Sequence, residues 1–208
     1  MSLGSAIRTV TARRPRTVVA LTLAVLLVAP GWVTYSLVTG AGQTWADQSH
    51  PDLDGLFSQL ATAKTVREAN EIEARIWALW RTHDDPEVAA RLDAGITAMG
   101  NGAFNEALAQ FDAAIAADPQ FAEAHNKRAT VLYLMGRDQE SMVAAHQALV
   151  LEPRHFGAMS GMGLIFTRLD RPTMAIRMFE AAAKVHPRDP AIQRNLDELR
   201  RSLNSQMI

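Results

Sequence analysis

VAARLDAGITAMGNGAFNEALAQFDAAIAADP, residues 88–119, sets a spacing that returns twice more along the chain. It closes on Asp118-Pro119, and Glu152-Pro153 and His186-Pro187 close two further stretches, so each proline stands 34 residues after the last. Counting each stretch from 31 residues before its proline, position eight reads Gly95, Ala129, Gly163 and position 20 reads Ala107, Ser141, Ala175. Position 27 is alanine three times, at Ala114, Ala148 and Ala182. Small residues thus recur where two helices have to approach closely, and position 24, which reads Phe111, Ala145, Phe179, supplies bulk for the neighbouring gap. Self-similarity at this period predicts a helix-turn-helix unit stacked on copies of itself.

Between the two helices of each unit a turn is expected at Gly100-Asn101-Gly102, Met135-Gly136-Arg137 and Leu169-Asp170-Arg171. The first two supply a glycine, which tolerates positive φ after a helix. In the third, Asp170 takes that place and Pro172 sits at the start of the next helix, where a missing N–H costs little.

With these features the chain resembles the tetratricopeptide repeat (TPR) family over residues 88–189, in units 88–121, 122–155 and 156–189. The second half of each unit carries most of the resemblance. The family's large residue at position four, Leu at seven and Tyr at eleven are replaced by Arg91, His125, Met159, then Ala94, Arg128, Met162, then Ala98, Leu132, Phe166. Two segments, NKRATVLYLMGR from Asn126 and EPRHFGAMSGMGL from Glu152, are similar to stretches of bacterial TPR proteins of unassigned function. The resemblance implies an all-α solenoid of antiparallel helix pairs that binds a protein or peptide in its concave groove. By that resemblance the groove positions are Leu92, Ile96 and Met99 in the first unit, Asn126, Thr130, Tyr133 and Leu134 in the second, and Leu164 and Arg168 in the third. Leu92, Ile96, Met99, Tyr133 and Leu134 are expected to form one exposed apolar patch. The family's clamp for a chaperone's C-terminal carboxylate is missing, because its slots hold Leu92, Ile96, Lys127, Gly157 and Gly161.

Outside the repeats, residues 47–87 begin with a polar linker and continue as a helical hairpin. Leu53, Leu56, Phe57 and Leu60 follow an i, i+3, i+4, i+7 pattern. A second helix opens with Thr65 and Glu68, a capping box, and its buried face is expected to be Val66, Ala69, Ile72, Ile76, Leu79 and Trp80. This hairpin is expected to be a degenerate repeat stacked on the first true one. Residues 190–208 end the chain as a capping helix and tail, with Ile192, Leu196 and Leu199 as a single apolar stripe.

Ahead of all this, residues 1–46 are basic and then apolar. Arg8, Arg13, Arg14 and Arg16 are the only charged residues before Asp47, and residues 17–38 carry no charge. A helix of that length is about 33 Å long, enough to cross a bilayer core of roughly 30 Å. The segment reads as an export signal or as a retained anchor, with the N-terminus cytoplasmic and the repeats across the membrane. The expected location is the bacterial periplasm, either after cleavage or with the chain held in the inner membrane by residues 17–38.

Composition narrows the function. In 208 residues, 48% hydrophobic, there is room for one solenoid and one membrane-sized segment but not for a second large domain. Beyond the arginine-rich start, 17 basic and 22 acidic residues remain, a balance that offers nucleic acid no electrostatic footprint. The chain has no cysteine, which excludes disulfides and thiolate metal sites.

Six histidines, at 50, 83, 125, 146, 155 and 186, show no i, i+4 ligand pair. His125 is read as a packing residue, and His155 and His186 as solvated or capping residues in turns. Gly161-x-Gly163 lacks the strand-to-helix context of a dinucleotide site, and Ser141 and Ser160 lack a nucleophile setting. No catalytic residue, metal ligand or cofactor is therefore expected. The expected function is a non-enzymatic interaction module for a protein or peptide partner in the cell envelope, with a self-associating scaffold, a homo-oligomer, as the alternative.

Overall fold

The computed structural model describes residues 50–206, and among these nine helices follow one another without a strand. They are α1 (Asp52–Thr62), α2 (Val66–Trp80), α3 (Pro86–Gly100), α4 (Phe104–Ala117), α5 (Ala122–Leu134), α6 (Asp138–Leu151), α7 (Phe156–Arg168), α8 (Pro172–Val185) and α9 (Pro190–Gln206). No helix among them is long and apolar enough to cross a membrane. Residues 17–38, on which the export or anchor expectation falls, lie outside the described residues.

Local chemistry sets where these helices begin and turn. The Thr65 hydroxyl accepts the Glu68 N–H as the expected capping box requires, while the Glu68 carboxylate accepts the N–H of Lys64, one residue before the N-cap, in place of that of Thr65 itself. Asp85 accepts the Glu87 N–H at the start of α3, where Pro86 occupies the first helical position. Gly102 and Gly136 adopt φ of 76° in the first two turns, and Asp170 takes φ of 53° in the third, which makes Asp170 the residue that replaces glycine.

Helices α3 and α4, α5 and α6, and α7 and α8 form three antiparallel pairs, each second helix also packing on the first helix of the next pair, and α9 closes the row against α8. Position eight of a unit meets position 24 face to face. A Cβ placed on Gly163 would lie 2.8–2.9 Å from the Phe179 ring, and Gly95 stands in the same relation to Phe111. Glycine is required there because the aromatic ring occupies the volume a side chain would need. Middle-unit Ala129 and Ala145 make a thinner contact, and Ser141 adds a hydrogen bond from its hydroxyl to the Ala129 carbonyl, 2.7 Å.

The hairpin departs from the expected stack. Its apolar residues, Leu53, Leu56, Phe57 and Leu60 of α1 with Ala69, Ile72, Ile76 and Trp80 of α2, share one core with Phe156, Phe166 and Phe179 of the third unit and Ile192 and Leu196 of α9. The first unit has a separate core built on Val88, Leu92, Phe111 and Phe121. Chemistry explains the choice. Toward α3, the end of α2 makes an ion pair, Arg81 to Asp93 at 2.6 Å, whereas the third unit and α9 present aromatic and aliphatic surface. Val66 and Leu79, also expected on the buried face, stay exposed and partly exposed.

The hairpin consequently runs along the row of inter-repeat turns. His83 donates to Asp118 at the first turn, Trp80 stacks on His155 at the second, and Arg188 of the third donates to the Ala63 carbonyl between α1 and α2. Arg154 of the second turn pairs with Asp54 of α1 at 2.5 Å. The segment from α1 to His83 thus touches all three inter-repeat turns.

Candidate functional site

The inner face of the solenoid is built from α5 and α7, and one end of it is closed by α2. Trp77 lies so close to Gly157 that a Cβ there would come within 2.7 Å of the indole. The Lys127 ammonium sits 4.9 Å from the centroid of the same indole, a cation–π contact.

Behind Trp77 lies a buried polar cluster. The Ala158 N–H donates to His155 Nδ1, so the ring proton is on Nε2, which donates to the Glu123 carboxylate at 3.1 Å. Asn126 donates to the same carboxylate oxygen at 2.9 Å, and Lys127 pairs with the other oxygen at 3.0 Å. Burial alone would raise the Glu123 carboxyl, but the Lys127 charge and the His155 and Asn126 hydrogen bonds outweigh it and hold the group below its ordinary range. Every partner has an assigned structural duty, which makes this cluster a brace between α5, α7 and the hairpin. His155 and His186 are fully buried, which corrects the solvated reading, although His155 does cap α7. His125 is buried at position four as expected, its ring nitrogen 3.0 Å from the Pro119 carbonyl.

Beyond the brace the face is open. A cavity of about 180 Å³ lies between α5, α6 and α7, with Ala129, Ser141 and Ala145 on one side and Gly157, Gly161 and Ile165 on the other. Asn126, Thr130, Tyr133 and Leu164, four of the groove residues expected from the sequence, also line it. Arg168 lies beside them. Its guanidinium is stacked 3.6 Å from the Tyr133 ring centroid, donates to the Tyr133 carbonyl and pairs with Asp138.

The remaining expected groove residues are placed elsewhere, and the single apolar patch does not form. Leu92 is fully buried in the first-unit core, because α5 packs against α3 there and closes the space between them. Ile96 and Met99 lean on that same core and are partly buried. Leu134 is half exposed but does not line the cavity. Sequence reasoning missed Ala145, Gly161 and Ile165. The available signal was Ala145 itself, the one position 24 that lacks an aromatic ring.

Among the described residues no group of three or more His, Asp or Glu side chains is arranged to hold a metal ion.

Comparison with known proteins agrees with this architecture. A family model described as TPR repeat matches residues 100–136. A TPR repeat-containing protein of Rhizobium etli is 31% identical over 151 residues, covering 73% of this chain and 74% of the relative. Among solved structures, the Sgt2 TPR domain of Aspergillus fumigatus superposes with a TM-score of 0.56 at 20% identity, over 59% of this chain and 82% of that one. The second TPR domain of human RPAP3, solved in complex with an HSP70 peptide, gives a TM-score of 0.52 at 21% identity, over 55% and 95% of the two chains.

Proposed function

This chain belongs to the tetratricopeptide repeat family, and from that premise we propose that it is a non-enzymatic interaction module that holds a peptide or protein segment against α5 and α7. The observation that carries this reading is the open cavity lined by Asn126, Thr130, Tyr133 and Leu164 on the inner face. The Tyr133–Arg168 stack beside it supplies a rigid aromatic and a cation, the residue types in which binding energy concentrates. That the RPAP3 domain of similar fold was solved in complex with a peptide supports a peptide or protein segment as the partner. A chaperone's carboxylate tail is a poor fit. The resemblance puts that clamp at Leu92, Ile96, Lys127, Gly157 and Gly161, of which Leu92 is buried in the core, Gly157 lies under Trp77 and Lys127 is engaged with Glu123.

The proposed location is the bacterial cell envelope, with the repeats on the periplasmic side. Its support is the uncharged run of residues 17–38 behind four arginines. Protease added to intact spheroplasts is expected to digest the repeats, and full protection would place them in the cytoplasm instead.

A photo-crosslinking residue placed at Thr130 or Leu164 of the full chain tests the binding reading. The expected product is a discrete adduct at both positions that is absent when the residue is placed at Glu106, an exposed position of α4. Equal adducts from Glu106, or none from Thr130 and Leu164, would remove the inner face as the binding surface.

A further inference from the structure

The cavity has the size and lining of a pocket for one particular kind of side chain. In the first and third units the position-24 ring, Phe111 or Phe179, presses against a glycine at position eight. Both members of this pair change in the middle unit, to Ala129 and Ala145, and the volume of a ring is left unfilled between α5 and α6. The neighbouring helix does not close it either, since no atom lies within 4 Å of a Cβ built on Gly161. What remains is about 180 Å³, lined by apolar and uncharged residues. An apolar cavity of roughly 150 Å³ is known to take up benzene. No ionised side chain lines it, so a charged group would lose its water without gaining a counter-charge. Ser160, which also lines the cavity, offers its hydroxyl to the backbone that carries the ring, whereas Asn126 and Thr130 already donate to Glu123 and to the Asn126 carbonyl.

We propose that the cavity beside Ala145 is a specificity pocket that receives one phenylalanine-sized aromatic side chain from the segment bound on the inner face. The incoming ring takes the place that Phe111 and Phe179 fill from within the chain in the flanking units. This rests on the inner-face reading above and adds the residue type that the partner presents.

The test uses the full chain in detergent, with N-acetyl-phenylalanine amide as probe and N-acetyl-alanine amide as control. Methyl NMR should show saturable shifts at Ala129, Ala145 and Ile165 with the phenylalanine probe and none with the alanine control. The double variant Ala129→Gly/Ala145→Phe rebuilds the pair present in the flanking units and fills the pocket from inside. It should keep the wild-type helicity and weaken the probe at least tenfold. Gly161→Leu, whose Cβ would have no neighbour within 4 Å outside its own helix, fills the pocket from α7 and should weaken the probe similarly even if the double variant fails to fold.

Equal probe shifts in wild type and both filled variants, or shifts that avoid these three methyl groups, would overturn the proposal. So would concentration-dependent dimerisation reversed by the phenylalanine probe, which would seat a second copy in the pocket. A Thr130 crosslink that survives unchanged in a folded filled variant would remove the ring pocket and leave the inner-face reading standing. Probe binding without any Thr130 or Leu164 crosslink would remove the inner-face reading and, with it, the role assigned to the ring.

Discussion

The Trp80 indole lies flat on the His155 imidazole, with ring centroids 4.1 Å apart and planes 14° apart. Trp80 belongs to the hairpin and His155 to the turn between the second and third units, so this stack joins two parts of the chain that are 75 residues apart. Phe57, Trp77 and Phe156 surround it, with centroids 5.2–5.8 Å from that of Trp80. Through His155 the contact reaches Glu123 and the start of α7. The hairpin is therefore part of the solenoid's core.

Trp80→Ala should destabilise the whole domain, since truncating a fully buried tryptophan typically costs about 3–5 kcal/mol. Urea unfolding followed by circular dichroism measures this. Limited proteolysis should also cut within α1 and α2 of the variant before the repeats. A stability within error of wild type would mean the hairpin is not docked on the third unit.

Helix α7 holds an internal control for the packing rule. Gly163→Ala forces a methyl group to within 2.8 Å of the Phe179 ring and should cost roughly 1–3 kcal/mol as overpacking. Two residues earlier, Gly161→Ala meets nothing and should gain roughly 0.5–1 kcal/mol from helix propensity. Melting temperatures that move in the same direction for both would refute the position-eight contact.

This contact, the turns and the Thr65 cap of α2 were legible in the sequence because each is local or recurs with the period. Asp170 could be recognised as the stand-in for glycine because its two counterparts, Gly102 and Gly136, share its place in the unit. The docking surface of the hairpin was not legible. An apolar stripe such as Ala69, Ile72, Ile76 and Trp80 says which residues must be buried but not against what, and the answer depends on how the solenoid curves. Gly157 was the overlooked sign, a glycine at position two where the other units have Ala89 and Glu123. The lining of the cavity was half legible for a related reason. Leu92 is sealed between α3, α4 and α5, while at the same position of the next two units Asn126, though itself buried, and Ser160 line the cavity, which stays open beside Gly161.

The third turn allows a stabilising substitution. A non-glycine residue in the left-handed region is strained by roughly 1–2 kcal/mol, less for Asp than for most. Asp170→Gly should accordingly raise the midpoint of urea unfolding, and Gly136→Ala, made in the equivalent turn, should lower it. Opposite signs are the expected result. A loss of stability in Asp170→Gly would show that the aspartate side chain contributes more to the turn than the strain removes.

Acid should unfold the domain in steps set by three groups whose folded-state pKa values are lowered. His125 is pushed below its ordinary 6.5 chiefly by burial, which its hydrogen bond to the Pro119 carbonyl only partly offsets. Burial would raise Glu123 and Asp189 above their ordinary 4.5 and 3.8, but Lys127 and His155 around the first, and His186 and the Ile192 and Ala191 N–H groups around the second, outweigh it. In each case the folded state binds fewer protons than the unfolded chain just below the ordinary value, so stability falls as pH falls. The His125 contribution should be complete above about pH 6.5 and decline below it, with Glu123 adding its loss below about 4.5 and Asp189 below about 3.8. Melting temperature measured from pH 8 to pH 3.5 should show a first decline starting below 6.5 and a steeper one below 4.5. His125→Phe keeps a bulky residue at position four and should flatten only the first decline. Glu123→Gln should flatten the second and lower stability at neutral pH, because Lys127 then loses its buried counter-charge. A profile that is level from pH 8 to 4.5 in the wild type, or one that His125→Phe leaves unchanged, would show that His125 takes up its proton as readily in the folded domain as in the unfolded chain.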